Sequence, residues 1–296
     1  MVEFSQAERT VVNFFVNEKE FIFEGSKFQV IIVGKPRCEK GEPKTDVYVK
    51  AVNDRNKVLE FKISIKRENA DFLENKTTEE RAEALFGSEW DCIIRDATNS
   101  IRHEFENRKL IFKEKGRRTG RGSITLGWKY ELLNKPGGDL SAPVNLTRNQ
   151  IIDVYAGTNL PANKRNSRVD GEIIQDSGIA NFILINDDVR CLQDVINNLL
   201  SIEEYIDEYP DIYFACKALN YRTFEQKYDG NRPLAVSVYW SVENGRLKSE
   251  LNFDHPLIVK GNEVASRLMD SLGELRILNT DDIYEENVWN YGIVNE

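Results

Sequence analysis

Two short segments in which apolar and polar residues alternate, 46–52 and 58–66, constrain the fold most strongly. A polar stretch at 53–57 separates them, and this pattern is typical of a β-hairpin. Neighbouring side chains of a strand point to opposite faces, so each strand has one apolar and one polar face. The apolar face is predicted to hold Val47, Val49, Ala51, Leu59, Phe61, Ile63 and Ile65. The hairpin therefore predicts a sheet with one face in a core.

The rest of the chain alternates between helical and extended periodicity. This mixture predicts an α/β (α+β) fold with a central mixed β-sheet flanked by helices. Helices are predicted at 5–19, 78–86, 89–105, 147–155, 188–208 and 262–272. Further strands are predicted at 27–33, 110–113, 124–133, 170–175, 180–186, 211–216, 234–242, 246–253 and 274–278.

Composition excludes several classes of protein. The 296 residues carry a net charge of −9, and no apolar run approaches the roughly 18 residues that span a bilayer. The N-terminus is polar and acidic, which predicts no secretory signal. Four cysteines without a CxxC pair and two isolated histidines argue against a zinc site and a Ser-His-Asp hydrolase. We expect a cytoplasmic protein with free thiols and no membrane contact.

The polar face of the hairpin carries the chemistry. It contains Pro43-Lys44-Thr45-Asp46 at the start of the first strand and Glu60-Phe61-Lys62 on the second. An acid at the start of one strand followed by acid-x-lysine on its neighbour resembles the PD-(D/E)XK nuclease superfamily, which includes most type II restriction endonucleases. The residue before Asp46 is Thr45 rather than the proline of the pattern. The resemblance implies that Asp46, Glu60 and Lys62 are catalytic.

A different strand register leaves a second assignment open. If the turn centres on Arg55, Asp46 faces Ser64, and the site lysine becomes Lys66 in Ser64-Ile65-Lys66. This resembles a branch of restriction enzymes that uses serine-x-lysine and takes its second acid from a downstream helix. Glu79 or Glu80 would supply that acid here.

The resemblance also implies a cofactor. Two carboxylates, Asp46 and Glu60 in the first assignment, would bind Mg²⁺, which prefers oxygen ligands. The ion would lower the pKa of a bound water, and the lysine would orient that water and stabilise developing charge. The product would carry a 5′-phosphate.

Two basic segments are predicted to contact double-stranded DNA. Residues 108–122 hold seven Lys or Arg against one Glu, including Arg117, Arg118 and Arg121. A second cluster follows in a polar loop, with Lys164, Arg165, Asn166 and Arg168. Arginines of the first segment would anchor phosphates, and the second could also read base edges.

We therefore expect a Mg²⁺-dependent, sequence-specific DNA endonuclease of the type II restriction kind, acting as a homodimer on palindromic sites. Another PD-(D/E)XK repair or phage nuclease, or a non-catalytic DNA-binding protein, is the alternative. The chain is expected to form one elaborated domain. Its catalytic core would span about 1–115, its recognition and β-rich elements about 116–280, and a loosely held acidic tail 281–296.

Overall fold

A computed structural model of the chain describes residues 6–39, 41–66, 72–75, 77–185 and 189–296. The helices are α1 (Gln6–Glu18), α2 (Glu79–Phe86), α3 (Trp90–Ser100), α4 (Arg102–Glu106), α5 (Arg148–Ala156), α6 (Ala162–Arg165), α7 (Leu192–Asn197), α8 (Ile202–Glu208) and α9 (Gly261–Glu274). The strands up to residue 143 are β1 (Glu20–Phe23), β2 (Ser26–Gly34), β3 (Val47–Asn53), β4 (Val58–Ile65), β5 (Phe72–Glu74), β6 (Ile111–Phe112), β7 (Ser123–Leu133) and β8 (Ser141–Pro143). The later strands are β9 (Arg168–Val169), β10 (Glu172–Ile173), β11 (Phe182–Leu184), β12 (Leu199–Ser201), β13 (Tyr213–Arg222), β14 (Lys227–Tyr228), β15 (Val236–Glu243), β16 (Arg246–Asn252) and β17 (Val294–Asn295). This content confirms the predicted mixed α/β class.

The described residues form two compact units, each built from two stretches of sequence. Unit 1 contains those within Met1–Asp71 and Leu146–Pro210, and unit 2 those within Phe72–Asn145 and Asp211–Glu296. The division differs from the one expected, because residues 72–115 belong to unit 2 and residues 146–210 to unit 1. Along the sequence, unit 2 begins between two strands of unit 1, so the boundary predicted near residue 115 falls inside unit 2.

Unit 1 contains a six-stranded mixed sheet in the order β1-β2-β3-β4-β11-β12. Strands β1 to β4 form an antiparallel meander, whereas β11 pairs parallel to β4. A parallel neighbour requires a crossover connection, and here it includes residues 72–145 and helix α5. Helix α5 begins at a capping box of Thr147 and Gln150 and ends at Gly157, which adopts the left-handed conformation.

The apolar face of the predicted hairpin lies in the core of unit 1. Val47, Val49, Ala51, Phe61 and Ile63 belong to one buried cluster, together with residues of α1 and α7. Phe61 also contacts three aromatic rings, those of Phe21, Phe23 and Phe182, at centroid distances of 5.5, 5.1 and 5.3 Å. The predicted alternation is confirmed.

Unit 2 is built on a nine-stranded sheet whose main path is β14-β13-β7-β15-β16. Strand β7 lies near its centre, and ten of its eleven residues are buried. The acidic tail 281–296 belongs to this unit. Because β17 pairs with β6 and Ile283 and Val288 are buried, the expectation of a loosely held tail is wrong.

Other departures from the predicted elements have local causes. The helix expected at 188–208 is divided, because Leu199–Ser201 pairs with β11 and Ser201 then caps α8 through Glu204. A strand expected at 274–278 is absent, since α9 continues to Glu274. Residues 5, 186 and 188, which end predicted elements, lie outside the described residues. In the described part of the chain, every helix is too short or too polar to cross a membrane.

Candidate active site

Asp46 lies immediately before β3, on the polar face of the hairpin. Its backbone N–H donates to the carbonyl of Ile63 at 2.8 Å, and its Oδ2 accepts the N–H of Ile65 at 2.8 Å. The strand register pairs Val47 with Ile63. Continuing that register by one residue sets Asp46 opposite Ser64, which is the pairing expected for a turn centred on Arg55.

The turn explains why this register forms. The side-chain oxygen of Asn53 accepts the backbone N–H groups of Arg55 and Lys57 at 3.0 and 2.9 Å. Asn56 adopts a left-handed conformation with φ of 60°, which asparagine tolerates better than most residues. These contacts set the length of the turn, and the length of a turn sets the register of its strands.

Burial and nearby charges act together on the Asp46 carboxyl. Burial raises its pKa above the ordinary value, and the negative charge of Glu8 acts in the same direction. The ammonium of Lys66, the N–H of Ile65 and the ammonium of Lys35 oppose this rise. Asp46 therefore lies in a partly desolvated cluster of two acids and two lysines.

Glu8 and Lys35 were not identified from the sequence. They form an ion pair with 2.5 Å between Lys35 Nζ and Glu8 Oε2, and their side chains are only 18% and 12% exposed. Glu8 belongs to the first turn of α1, where an acid is explained by the helix dipole alone. Glu8 could have been predicted as a site residue because it is an acid on the helix that precedes the meander. That helix packs on β2 and β3.

Lys66 directly follows β4. Its backbone N–H donates to the carbonyl of Leu184 at the end of β11. The parallel pairing of β4 with β11 thus holds the backbone of Lys66 at the edge of the sheet where Asp46 is also found.

Glu60 and Lys62 have different surroundings. The buried hydroxyl of Tyr48 donates to Glu60 Oε1 at 2.7 Å. Burial is the main cause that raises the pKa of Tyr48, and this hydrogen bond raises it further. The backbone N–H of Lys62 donates to the side chain of Asn181, whose amide donates in turn to the carbonyl of Glu60. The Glu60 carboxylate is thus engaged by Tyr48. The charges that shift the pKa of Asp46 come from Lys66, Glu8 and Lys35.

Ser64 is buried, and its hydroxyl has no hydrogen-bond partner among the described residues. An unsatisfied buried hydroxyl costs free energy unless a water or a bound group completes it. Searched over the described residues, the structure has no cluster of three or more His, Cys, Asp or Glu that could hold a metal ion. The Asp46 and Glu8 carboxylates and the Ser64 hydroxyl are nevertheless oxygen donors of the kind that fits Mg²⁺, which binds through one or two carboxylates and retains several waters.

The other proposed second acids, Glu79 and Glu80, belong to unit 2. They occupy the first turn of α2, behind the N-cap Thr78. Asp46, Glu60, Lys62, Ser64 and Lys66 all belong to unit 1. Within unit 1, the acid whose charge acts on Asp46 is Glu8.

The first basic segment also belongs to unit 2. Arg117 and Arg118 are exposed. Arg121 is held by the carboxylate of Asp281 through two hydrogen bonds of 3.0 and 2.9 Å, and its guanidinium lies over the ring of Phe224. The acidic tail therefore neutralises one of the three arginines predicted to bind DNA here.

The second basic loop adjoins Asp46 within unit 1. The backbone N–H of Gly178 donates to the carbonyl of Arg165, and the Gly178 carbonyl accepts the N–H groups of Lys44 and Thr45 at 3.0 and 3.3 Å. These bonds fasten the loop to the two residues that precede Asp46. The loop is thus next to the candidate site.

Two polar residues of this loop have structural partners. The guanidinium of Arg165 forms an ion pair of 3.1 Å with Asp176. The side-chain oxygen of Asn166 accepts the backbone N–H of Asp176 at 2.9 Å. Both side chains thus stabilise the loop itself, which the sequence did not reveal. Lys164 is partly buried and Arg168 is exposed.

The sequence matches no protein-family model, and neither the curated proteins nor the solved structures contain a significant match to it. The function must therefore be argued from the residues around Asp46. Their chemistry combines a partly buried carboxyl, a second acid, two ammonium groups and an adjoining basic loop.

Proposed function

We propose that this protein is a Mg²⁺-dependent endonuclease of the PD-(D/E)XK type that hydrolyses phosphodiester bonds of double-stranded DNA. The observation that carries the proposal is the register of β3 and β4. In that register Asp46 stands opposite Ser64, and Lys66 is close enough to lower the pKa of the Asp46 carboxyl. This favours Ser64-Ile65-Lys66 over Glu60-Phe61-Lys62 as the catalytic segment.

The residues of unit 1 have distinct roles in this proposal. The carboxylates of Asp46 and Glu8 would hold Mg²⁺, which supplies a water of lowered pKa and neutralises the scissile phosphate. The Lys66 ammonium would orient the attacking water and stabilise charge that develops on the phosphate. The Ser64 hydroxyl would accept or donate a hydrogen bond to a water of the site. Hydrolysis would leave a 5′-phosphate.

Lys35 would compensate charge in this proposal. While no metal is bound, its ion pair with Glu8 limits the cost of burying two carboxylates close together. Binding of Mg²⁺ would replace that compensation, because the ion brings two positive charges to the same carboxylates.

We further propose that the enzyme is sequence-specific, as type II restriction enzymes are, and acts as a cytoplasmic homodimer. A palindromic site presents the same contacts twice, which suits a two-fold symmetric protein. The four cysteines are free thiols, which suits a reducing compartment.

Cleavage of plasmid DNA by purified protein tests the proposal. Wild-type protein is expected to produce discrete fragments with Mg²⁺ and none with EDTA. Asp46→Asn and Lys66→Met should each lower the cleavage rate by at least about a hundredfold, as expected for loss of a catalytic group. Lys62→Met is the matched control, since it removes the same charge from the strand that Lys66 follows and should leave the rate within a few fold.

The outcomes separate the alternatives. Structure-dependent nicking would indicate a repair or phage nuclease, whereas DNA binding without cleavage would indicate a non-catalytic protein. Loss of cleavage in Lys62→Met, with Lys66→Met unaffected, would return the catalytic role to Glu60-Phe61-Lys62.

A further inference from the structure

A pair of arginines lies directly opposite each other in unit 1. The backbone N–H of Arg37 donates to the carbonyl of Arg168 at 2.9 Å, and the N–H of Arg168 donates to the carbonyl of Arg37 at 2.8 Å. In such an antiparallel pair the Cα atoms are about 5.5 Å apart and both side chains leave the backbone on the same side. The backbone therefore forces two positive side chains together.

The described residues do not neutralise this pair. Both arginines are exposed, and the described residues offer neither of them a carboxylate within ion-pair distance. One guanidinium nitrogen of Arg168 donates to the carbonyl of Gly171 at 3.3 Å. The nearby Asp176 is engaged by Arg165 instead. Like charges directly opposite each other destabilise a strand pair, so the arrangement is unfavourable unless an anion binds there.

The pair also lies on the segment that leads to Asp46. The segment that precedes Asp46 is joined to the basic loop at two points. The Arg37–Arg168 bridge makes one junction, and the bonds from Lys44 and Thr45 to Gly178 make the other. A ligand held by the two arginines would thus be held beside the start of β3.

We propose that Arg37 and Arg168 together clamp the phosphate backbone of DNA next to the candidate cleavage site. This inference rests on the proposed function and identifies how unit 1 holds its substrate. Guanidinium groups bind phosphate oxygens through two parallel hydrogen bonds, and they remain charged at any physiological pH. The sequence predicted that the loop with Lys164, Arg165, Asn166 and Arg168 contacts DNA. Asp176 engages Arg165 and Asn166, and Arg37 was not among the predicted residues.

The test measures binding of the full-length protein to a fluorescently labelled DNA duplex in EDTA, where cleavage cannot occur. Arg37→Gln and Arg168→Gln should each raise Kd about tenfold, which corresponds to the loss of a charged hydrogen bond. Each should also flatten the dependence of log Kd on log salt by about 0.9. Substitution of both arginines by lysine should retain the wild-type salt dependence but weaken binding. Lysine keeps the positive charge but lacks the planar guanidinium that forms two parallel hydrogen bonds.

Arg55→Gln is the matched control. Arg55 is an exposed arginine in the turn of the same hairpin, at the end away from Asp46. Its substitution should leave both Kd and the salt dependence unchanged. Equal melting temperatures for all variants would exclude a general loss of folding.

The outcomes distinguish this inference from the proposed function. If the Arg37→Gln/Arg168→Gln protein binds DNA as the Arg55→Gln protein does, the clamp is overturned, while loss of cleavage in Asp46→Asn would still support the nuclease. If the arginine variants lose DNA binding but wild-type protein never cleaves DNA, the clamp stands and the nuclease falls. No binding of wild-type protein to DNA overturns both.

Discussion

Gly178 connects the basic loop to the strand that begins after Asp46, and its replacement by alanine should break that connection. An added Cβ would overlap the carbonyl oxygen of Lys164 and would lie only 3.0 Å from Pro43 Cβ. Since the overlapped atom belongs to the backbone, a side-chain rotation cannot relieve the contact. The loop and residues 43–45 must separate.

The size of the effect follows from the bonds at risk. Separation would weaken three backbone hydrogen bonds, those from Gly178 to Arg165 and from Lys44 and Thr45 to Gly178. At about 1 kcal/mol each, their loss destabilises the fold by about 3 kcal/mol. Alanine also restricts the unfolded chain, which offsets up to about 1 kcal/mol. We expect Gly178→Ala to lower the free energy of unfolding by about 2–3 kcal/mol.

Urea denaturation at neutral pH would measure this change. Gly273→Ala is the control, because Gly273 lies in α9 and the added Cβ would meet no heavy atom within 4 Å apart from its chain neighbours and the backbone of its own helix. This replacement should stabilise the protein by up to about 1 kcal/mol. Gly178→Ala should also weaken DNA binding, since the loop carrying Arg168 shifts. A free energy of unfolding within about 0.5 kcal/mol of wild type would refute this account, given that the loss expected is several times larger.

Three other substitutions have defined outcomes. The Asp46→Asn protein should have a higher free energy of unfolding than wild type at neutral pH. Folding raises the pKa of the Asp46 carboxyl, so wild-type stability falls as the pH rises above 3.8, the ordinary pKa of this carboxyl. Urea denaturation across pH should show this difference vanish below about pH 4, and a difference independent of pH would contradict the burial argument. Asn181→Ala should cost about 2 kcal/mol in the same assay, because two hydrogen bonds to β4 are lost; no change would mean that water replaces them. Tyr48→Phe should cost about 1 kcal/mol and leave the cleavage rate within a few fold, whereas a loss as large as that of Asp46→Asn would restore Glu60 to the catalytic set.

The hairpin could be predicted because its causes are local. Apolar residues at every second position put Phe61 and Ile63 on one face of the strand, and that face packs in the core. The register itself depends on the turn, in which the backbone N–H groups of Arg55 and Lys57 donate hydrogen bonds to Asn53 Oδ1. That contact is encoded within five residues, so the choice between Lys62 and Lys66 could have been narrowed from the sequence.

Other parts of the site depend on distant segments. Glu8 and Lys35 reach Asp46 only because α1 packs on the sheet and β2 pairs with β3. Similarly, Arg37 and Arg168 are 131 positions apart, and no sequence pattern links them before the backbone bridge forms. Arg121 was expected to be available to DNA, but its bond to Asp281 joins residues from the two separate stretches of sequence that form unit 2.

The sequence by itself determined the mixed class, the two-faced hairpin and the acid at the start of β3, because alternation and turn chemistry act between residues close in the chain. Only the tertiary structure brought Glu8 and Lys35 to Asp46, and only it left Arg37 and Arg168 without a carboxylate within ion-pair distance among the described residues. Those outcomes depend on distances between segments that lie far apart in the sequence. Charge interactions and burial act through such distances, and the order of residues along the chain does not specify them.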